Sequence, residues 1–186
     1  MAAEDKREPE SRDRILAIAD SLAEQGEEEG GENDDRSGWI SFQLAGRDFA
    51  LPVSHVRGVH RAGHITPLPN SPGSVRGLTN LRGRVIAVID LAVQLELGTT
   101  EIDERSRILD AEIGRRRLGL LTERTESLIK VRPNDVEPLD DQTAAVISER
   151  AAGEIETKKG RVVLLDPEQI LEGAASATVV APRQAR

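Results

Sequence analysis

Three histidines lie close together in this sequence and are its first candidates for chemistry. His55, His60 and His64 could supply imidazole nitrogens, which are common zinc ligands. The glycines between them and the prolines around them exclude a single helical face, and the chain has no cysteine to complete a tetrahedral set. We therefore interpret the histidines as ordinary strand and loop residues, and we expect no metal site and no cofactor.

The familiar catalytic motifs are absent from the sequence. No GxxxxGK[ST] phosphate loop, GxSxG elbow or HExxH zinc motif occurs. Acid pairs such as Asp140 and Asp141 lie in charged, loop-like sequence, where no burial would raise a carboxyl pKa toward that of a general acid. We predict no catalytic residue and a protein that is not an enzyme. A hydrolase that uses loop acids is the weaker alternative.

One arginine stands at the tip of a predicted turn. In the stretch GLTNLRGRVIAVIDL, residues 77–91, Asn80 and Gly83 favour a turn with at least one positive φ. Leu81 can point inward, and Arg82 then projects from the rim with its aliphatic stem on apolar surface. From the residues alone, Arg82 either solvates a hairpin tip or contacts a partner.

The residues around this turn have simpler interpretations. Gly77 and Gly83 are both interpreted as glycines that only mark a turn or break in the backbone. Residues 85–89 are all apolar and lack alternation, so we expect a strand that is covered on both faces. Asp90 is predicted to cap a helical turn that begins at Leu91.

Charge and composition limit the classes of function. Residues 1–36 hold 13 acids and 5 bases, whereas the remaining 150 residues hold 20 of each, so the net charge of −8 belongs to the N-terminal segment. A neutral body with two Phe, one Trp and no Tyr lacks the basic footprint and the stacking residues of a nucleic-acid binder. No apolar run is long enough to span a membrane and no signal peptide is visible, so we expect a cytoplasmic protein with no membrane insertion.

Alternating apolar residues and frequent Gly and Pro turns predict an all-β fold, either a small barrel or a sandwich, with a few short helices. WISFQLAG and RDFALPV form the first predicted strand pair, and further strands are expected at 105–112, 116–122, 127–132, 152–158 and 161–165. We expect a very short helix at 71–75 and helical turns at 91–97 and 167–173, with loop and at most one helical turn at 133–150.

A short internal sequence repeat indicates that the chain has two similar halves. Residues 83–98 and 160–173 share a Gly-Arg-Val start, an apolar strand, an aspartate and a helical turn. A weaker repeat pairs residues 46–47 with 114–115 at a similar offset. We favour a duplicated β-module, seen as two barrels or one pseudo-symmetric pair. Chance similarity between such short segments is the competing interpretation.

The segment ALPVSHVRGVHRAGHITPLPNSPGSVRGLTNLRGRVIAVIDLAVQL, residues 50–95, resembles the most recognisable motif of the CheW-type coupling proteins of chemosensory systems. In order, the segment contains an apolar residue followed by Pro, a helical turn that includes Val56, a Pro-rich stretch, the GLTNLRG turn, an apolar strand and the dipeptide Asp-Leu. The segments GRRRLGLL and GRVVLLDPEQIL resemble strands of the family's second half, so the likeness extends from Trp39 to Leu171.

This resemblance implies a fold, a function and two partners. Proteins of this family form two intertwined five-stranded SH3-like β-barrels around a shared core and have no catalytic activity. They couple the cytoplasmic tips of methyl-accepting chemoreceptors to the regulatory domain of a CheA-type histidine kinase, at membrane-associated arrays. The resemblance implies that Val56 and Arg82 face a receptor helix in the groove between the barrels, and that Ile108 and Leu128 occupy binding positions. Gly77, Asn80, Gly83 and Asp90 would support the groove.

The sequence departs from the family pattern in three places. Gly58 stands where an acidic residue is common, residues 122–128 are unusually polar, and residues 133–150 are acidic. These departures keep two alternatives open. One is a kinase-binding protein with little receptor contact, and the other is a small-barrel module that binds protein or ligand outside chemotaxis.

The sequence predicts three regions along the chain. Residues 1–37 are predicted to be an acidic extension with a short amphipathic helix and a flexible linker, residues 38–173 the double barrel, and residues 174–186 a disordered tail. The helix, whose apolar residues include Ile15, Leu16 and Leu22, is either a tethered docking motif or part of a solubilising tail.

Overall fold

Ten β-strands dominate residues 36–172, the part of the chain that this computed structural model describes. The predicted docking helix with Ile15, Leu16 and Leu22 and the predicted tail 174–186 lie outside these residues. The strands are β1 (Ser37–Leu44), β2 (Arg47–Pro52), β3 (Val56–Arg61), β4 (Val75–Leu81), β5 (Arg84–Asp90), β6 (Arg107–Ile113), β7 (Arg116–Thr122), β8 (Arg124–Val131), β9 (Ala151–Thr157) and β10 (Gly160–Leu165). The helices are α1 (Leu91–Gln94), α2 (Asp141–Ile147) and α3 (Pro167–Glu172), with 3-10 turns at Val53–His55, Pro133–Asp135 and Ser148–Arg150.

The strands form two five-stranded sheets that exchange strands between the halves of the chain. Barrel 1 has the order β8-β1-β2-β10-β9, and barrel 2 has the order β3-β6-β7-β5-β4. Each strand of the first half corresponds to the strand five places later in the second half. Exchanging β1 with β6, β2 with β7, β3 with β8, β4 with β9 and β5 with β10 turns the order of barrel 1 into that of barrel 2. This match supports the predicted duplication, and it confirms the expected pair of intertwined barrels.

The same backbone device links the outer strands of each sheet. In barrel 2, Thr66 and Leu78 exchange two backbone hydrogen bonds of 2.8 Å, which bring the chain beyond β3 onto β4. In barrel 1, Glu137 and Glu154 exchange bonds of 2.8 and 2.9 Å, which bring the chain beyond β8 onto β9. Each bridge satisfies backbone groups that an open sheet edge would leave unpaired.

A glycine makes each bridge possible. Gly77 on β4 has φ +143°, and a Cβ there would lie 2.1 Å from the Thr66 carbonyl oxygen. Gly153 on β9 has φ +147°, and its Cβ would lie 2.7 Å from the Glu137 carbonyl oxygen. Only glycine combines this backbone conformation with so close an approach of another main chain.

A central apolar cluster joins the two barrels. On β2, Phe49 and Leu51 point into this cluster, while Ala50 between them points into a smaller cluster of barrel 1. The members of the central cluster that are at most 1% exposed are Phe42, Leu44, Phe49, Leu51, Leu91, Leu95, Leu109, Ala111, Leu120, Ile147, Leu165 and Ile170. Gln94 of α1 donates a 3.0 Å hydrogen bond to the carbonyl of Ile170 in α3, so the two C-terminal turns of the repeats also contact each other.

Most strand predictions are confirmed within a few residues, and β7 occupies the predicted range 116–122. The predicted helix at 71–75 is wrong, because a turn precedes Val75, which begins β4. Val56 was expected in a helical turn but begins β3, directly after the 3-10 turn. Residues 133–150, where loop with at most one helical turn was expected, contain the two-turn helix α2.

The expectation that residues 85–89 are covered on both faces is also wrong in part. Val88 and Ile89 are buried, but Val85 is 62% exposed. Side chains alternate along this part of β5, so Val85 faces solvent because Ile86, the next residue, faces the interior of barrel 2. Within residues 36–172, no helix has the length and hydropathy needed to cross a bilayer.

We expect Gly77→Ala and Gly153→Ala each to reduce the free energy of unfolding by about 3 kcal/mol, since backbone strain adds to a clash with rigid main chain. Gly83→Ala is the control, because Gly83 also has a positive φ but nothing lies within 4 Å of its Cβ position. It should lose only about 1 kcal/mol. Urea denaturation of the three variants tests this. Equal losses at Gly77 and Gly83 would contradict the proposed closeness of the bridge.

Candidate functional site

Three chain segments converge at one end of barrel 2. Strands β5 and β7 are parallel neighbours, with Val88 opposite Gly119, so both begin at the same end. The β4–β5 hairpin and the β6–β7 hairpin therefore have their tips side by side. Strand β3 also begins here, because Val56 lies opposite Ala111 near the end of β6.

The β4–β5 hairpin holds Arg82 in a defined position. The Asn80 side-chain oxygen accepts a 2.8 Å hydrogen bond from the Gly83 backbone N–H. Arg82 and Gly83 have φ of 52° and 82°, so the turn contains two positive φ values where at least one was expected. Leu81 is buried, which anchors the turn, and the exposed Arg82 side chain makes no ion pair with another described residue.

Val56 lies at the edge of a shallow polar depression beside the β6–β7 hairpin. The depression is lined by Ser54, His55, Val56, Arg57, Glu112 and Gly114. Arg57 donates from Nε to Glu112, and this contact lowers the pKa of the Glu112 carboxyl and raises the pKa of Arg57. The ion pair fixes the two charged side chains across β3 and β6, next to the half-buried Val56.

Three partly exposed aliphatic residues, which we call the aliphatic strip, lie on β1, β3 and β8: Ile40, Val56 and Leu128. Val56 and Ile40 are both half-buried and both pack against the central cluster. Leu128 on β8 is the cross-strand partner of Ile40, so their side chains share a face, and Leu128 is 41% exposed. Val56 and Ile40 thus border the central cluster that joins the two barrels, and Leu128 lies beside Ile40 with part of its side chain exposed.

Ile108 does not fit its expected place in a binding surface. It is fully buried, in the interior cluster of barrel 2 with Leu81, Ile86, Val88 and Leu121. The Cγ2 methyl group of Ile108 lies only 2.6 Å from the position that a Cβ on residue 119 would take, so Ile108 packs against Gly119. Ile108 can support the hairpin from beneath, but it cannot contact a partner directly.

Asp90 caps α1, as predicted, and also does more. Its Oδ1 accepts hydrogen bonds from the backbone of Ala92 and Val93 and from the Thr100 hydroxyl, and its Oδ2 accepts from the Thr100 backbone N–H. Arg76 Nε lies 3.8 Å from Oδ2, and Asp90 is fully buried. This network fixes the end of β5 to α1 and to the loop before β6, and the distant loop residue Thr100 gave no sequence signal.

The three histidines do not converge. His55 lies on the 3-10 turn, with Nδ1 3.2 Å from the Ser54 hydroxyl, whereas His60 lies on β3, with Nε2 3.9 Å from an Asp110 oxygen. His64 follows β3 and contributes its carbonyl to the Thr79 hydroxyl. Within residues 36–172, no three His, Asp or Glu side chains are grouped as metal ligands.

Sequence reasoning missed two parts of this site. Val85 was assigned to a covered strand, yet it is the most exposed of the large apolar residues described. Arg115 was placed at a joint between two predicted strands and Arg116 in the strand that follows, but neither was considered as a binding residue, although the run GRRR marked a cationic turn. Their place beside Arg82 depends on the parallel pairing of β5 with β7, which joins residues about thirty positions apart.

Known proteins with similar sequence and structure form one group. The profile of the CheW-like domain family matches residues 38–175. The chemotaxis protein CheW of Rhizobium meliloti is 29% identical over 102 residues, which cover 55% of this chain and 66% of that protein. The probable chemotaxis protein CheW of Rhizobium etli is 26% identical over 137 residues, which cover 74% and 88%. The crystal structure of the scaffolding protein TtCheW from Thermoanaerobacter tengcongensis aligns with a TM-score of 0.66 at 25% identity, covering 73% of this chain and 88% of that one.

We expect Asp90→Ala to reduce the free energy of unfolding by about 3 kcal/mol, because several buried donors lose their acceptor. Asp166→Ala is the matched control, since Asp166 caps α3 at the equivalent place in the repeat but is only half-buried. Its loss should be about 1 kcal/mol. Chemical denaturation measures both, and similar losses would show that the contacts to Thr100 add nothing to a simple cap.

Proposed function

This chain belongs to the CheW-like domain family, and from that premise we propose that it is a scaffold that couples chemoreceptors to a CheA-type histidine kinase. The proposed partners are the cytoplasmic tip of a methyl-accepting receptor and the regulatory domain of the kinase. The proposed location is the cytoplasm, at membrane-associated receptor arrays. The protein acts by binding and catalyses no reaction.

The strip formed by Ile40, Val56 and Leu128 supports a helix-binding role. Partly exposed aliphatic residues beside the cluster that joins the barrels can take the apolar face of an amphipathic helix, which is a common mode of peptide recognition. A receptor tip is a helical hairpin and offers such a face. Burial on the strip would supply most of the binding free energy, because polar contacts to solvent-exposed surfaces contribute little net.

The observation that carries the proposal is the position of Arg82. Its turn is fixed by the Asn80–Gly83 hydrogen bond, and its guanidinium makes no ion pair with any described residue. A guanidinium donates two parallel hydrogen bonds to a carboxylate, or several to helix-end carbonyls, and so fixes orientation. Arg82 would therefore orient the helix, while the strip buries it.

A second face would bind the kinase. A scaffold needs two partners that do not compete, and the double barrel exposes two pseudo-equivalent ends. Individual contacts of this kind are modest, and an extended assembly strengthens them through multivalency. Weak binding of each isolated partner is thus compatible with a stable array.

The Ser54–His55 contact gives little support to a hydrolytic alternative. The two residues are sequence neighbours, and the hydroxyl meets the ring at Nδ1. An activated serine needs a base that is itself oriented by a third group, and none of the described acids forms a hydrogen bond to His55.

We expect Arg82→Asp to reduce binding to receptor-containing membranes by about tenfold or more, a loss typical of a central contact residue. Arg82→Asn should reduce it less. Both side chains tolerate the left-handed conformation at residue 82, so neither should unfold the hairpin. Co-sedimentation of the full chain with receptor membranes and a CheA-type kinase measures the effect.

Arg61→Asp is the matched control, because Arg61 is exposed at the opposite end of barrel 2. It should bind as the unmodified chain does. If neither the receptor nor the kinase is captured by the unmodified chain, the proposed function is wrong. If Arg82→Asp and Arg61→Asp bind equally well, the role of Arg82 is wrong.

A further inference from the structure

The hairpin end of barrel 2 has an excess of positive charge. Four exposed arginines there form no ion pair with another described residue, and we call them the arginine end: Arg82, Arg84, Arg115 and Arg116. The acids of the adjoining strand β6 are already engaged, since Glu112 pairs with Arg57 and Asp110 binds Arg117 through two bonds of 2.8 and 2.6 Å.

The equivalent end of barrel 1 provides an internal comparison. Its hairpin tips also carry cations, and several cations at and near them are paired with acids of β8 and β9. Lys159 and Arg124 both contact Glu126, at 3.3 and 2.7 Å, and Arg161 contacts Glu154 at 2.8 Å. The two ends share one architecture, but the end in barrel 2 carries four cations without an ion pair to a described residue, whereas the end in barrel 1 carries two, Arg47 and Lys158.

Uncompensated like charges on neighbouring hairpins repel one another. Each guanidinium is well solvated, so the repulsion is tolerable, but the resulting positive potential attracts anions from solution. Arg84 is close enough to Glu112 that its charge contributes to the lowered pKa of that carboxyl, after the larger effect of Arg57. Val85, 62% exposed among these cations, adds an apolar contact that a simple ion atmosphere would not use.

We propose that the arginine end binds an acidic segment of a partner protein, with carboxylates on Arg115 and Arg116 and an apolar side chain on Val85. The inference rests on the proposed function, because it names the chemistry of the partner that Arg82 orients. It extends the contact from one hairpin to two. The expected partner carries several Asp or Glu side chains around one apolar residue.

A protein segment fits this surface better than a nucleic acid does. The two phenylalanines, Phe42 and Phe49, are fully buried in the central cluster, and Trp39 lies on β1 of barrel 1. The arginine end therefore has no aromatic residue on which a base could stack, although stacking is a main source of single-strand affinity. The exposed valine instead favours an apolar side chain.

The test uses the full chain and a fluorescein-labelled oligo-glutamate peptide, and fluorescence anisotropy follows binding. It is run at about 0.01 M salt, where the Debye length is about 30 Å, and at about 1 M salt, where it is about 3 Å. We expect binding at low salt and its loss at high salt. The variant R115E/R116E should bind at least about tenfold more weakly at low salt, while K158E/K159E, with the same charge change at the barrel 1 tip, should bind like the unmodified chain.

Several outcomes would overturn the inference. The inference is wrong if oligo-glutamate does not bind at low salt, or if both double variants lose the same amount of affinity for it. It is also wrong if a labelled DNA oligonucleotide or phosphatidylglycerol vesicles bind more tightly than the peptide. Circular dichroism of both variants keeps the comparison independent of folding. If R115E/R116E still captures receptor membranes fully while Arg82→Asp does not, the inference fails and the proposed function stands.

Discussion

Neither half of this chain can complete a barrel without the other. Barrel 1 takes β1 and β2 from the first half and β8, β9 and β10 from the second, and barrel 2 has the converse arrangement. Strands of the two halves meet in the antiparallel pairs β1–β8 and β3–β6 and in the parallel pairs β2–β10 and β5–β7. Because parallel neighbours begin at the same end, this exchange determines which hairpin tips lie together. The whole candidate site depends on that arrangement.

The exchange leads from sequence to function through a small number of contacts. Gly77 and Gly153 let a second main chain approach β4 and β9, which links the outer strands of each sheet. Asp90 then ties β5 to α1 and to the loop that precedes β6. With its strands fixed in this way, the barrel holds Arg82 at a rigid turn rather than on a mobile loop. A turn whose backbone is already fixed loses little backbone entropy on binding, which favours the use of Arg82 in orienting a partner.

Local features of this fold could be predicted from the sequence, and the non-local ones could not. The alternating strands, the cap at Asp90 and the turn at Asn80 depend on neighbouring residues, and the repeat appeared as paired Gly-Arg-Val starts. Resemblance to a family supplied the intertwined barrels. The burial of Ile108, the exposure of Val85 and the convergence of Arg82 with Arg115 depend on which strands pair across the exchange. Composition and periodicity contain no information about that pairing.

The central claim is that the hairpin end of barrel 2 and the adjoining aliphatic strip bind a helical partner. Amide chemical-shift mapping of the full chain, titrated with a soluble fragment of a receptor tip, tests it most directly. The account predicts that the largest shifts occur at residues 80–85, at residues 114–116 and at Val56. Shifts confined to the opposite end of the barrel, around Arg61 and residues 103–106, would contradict it.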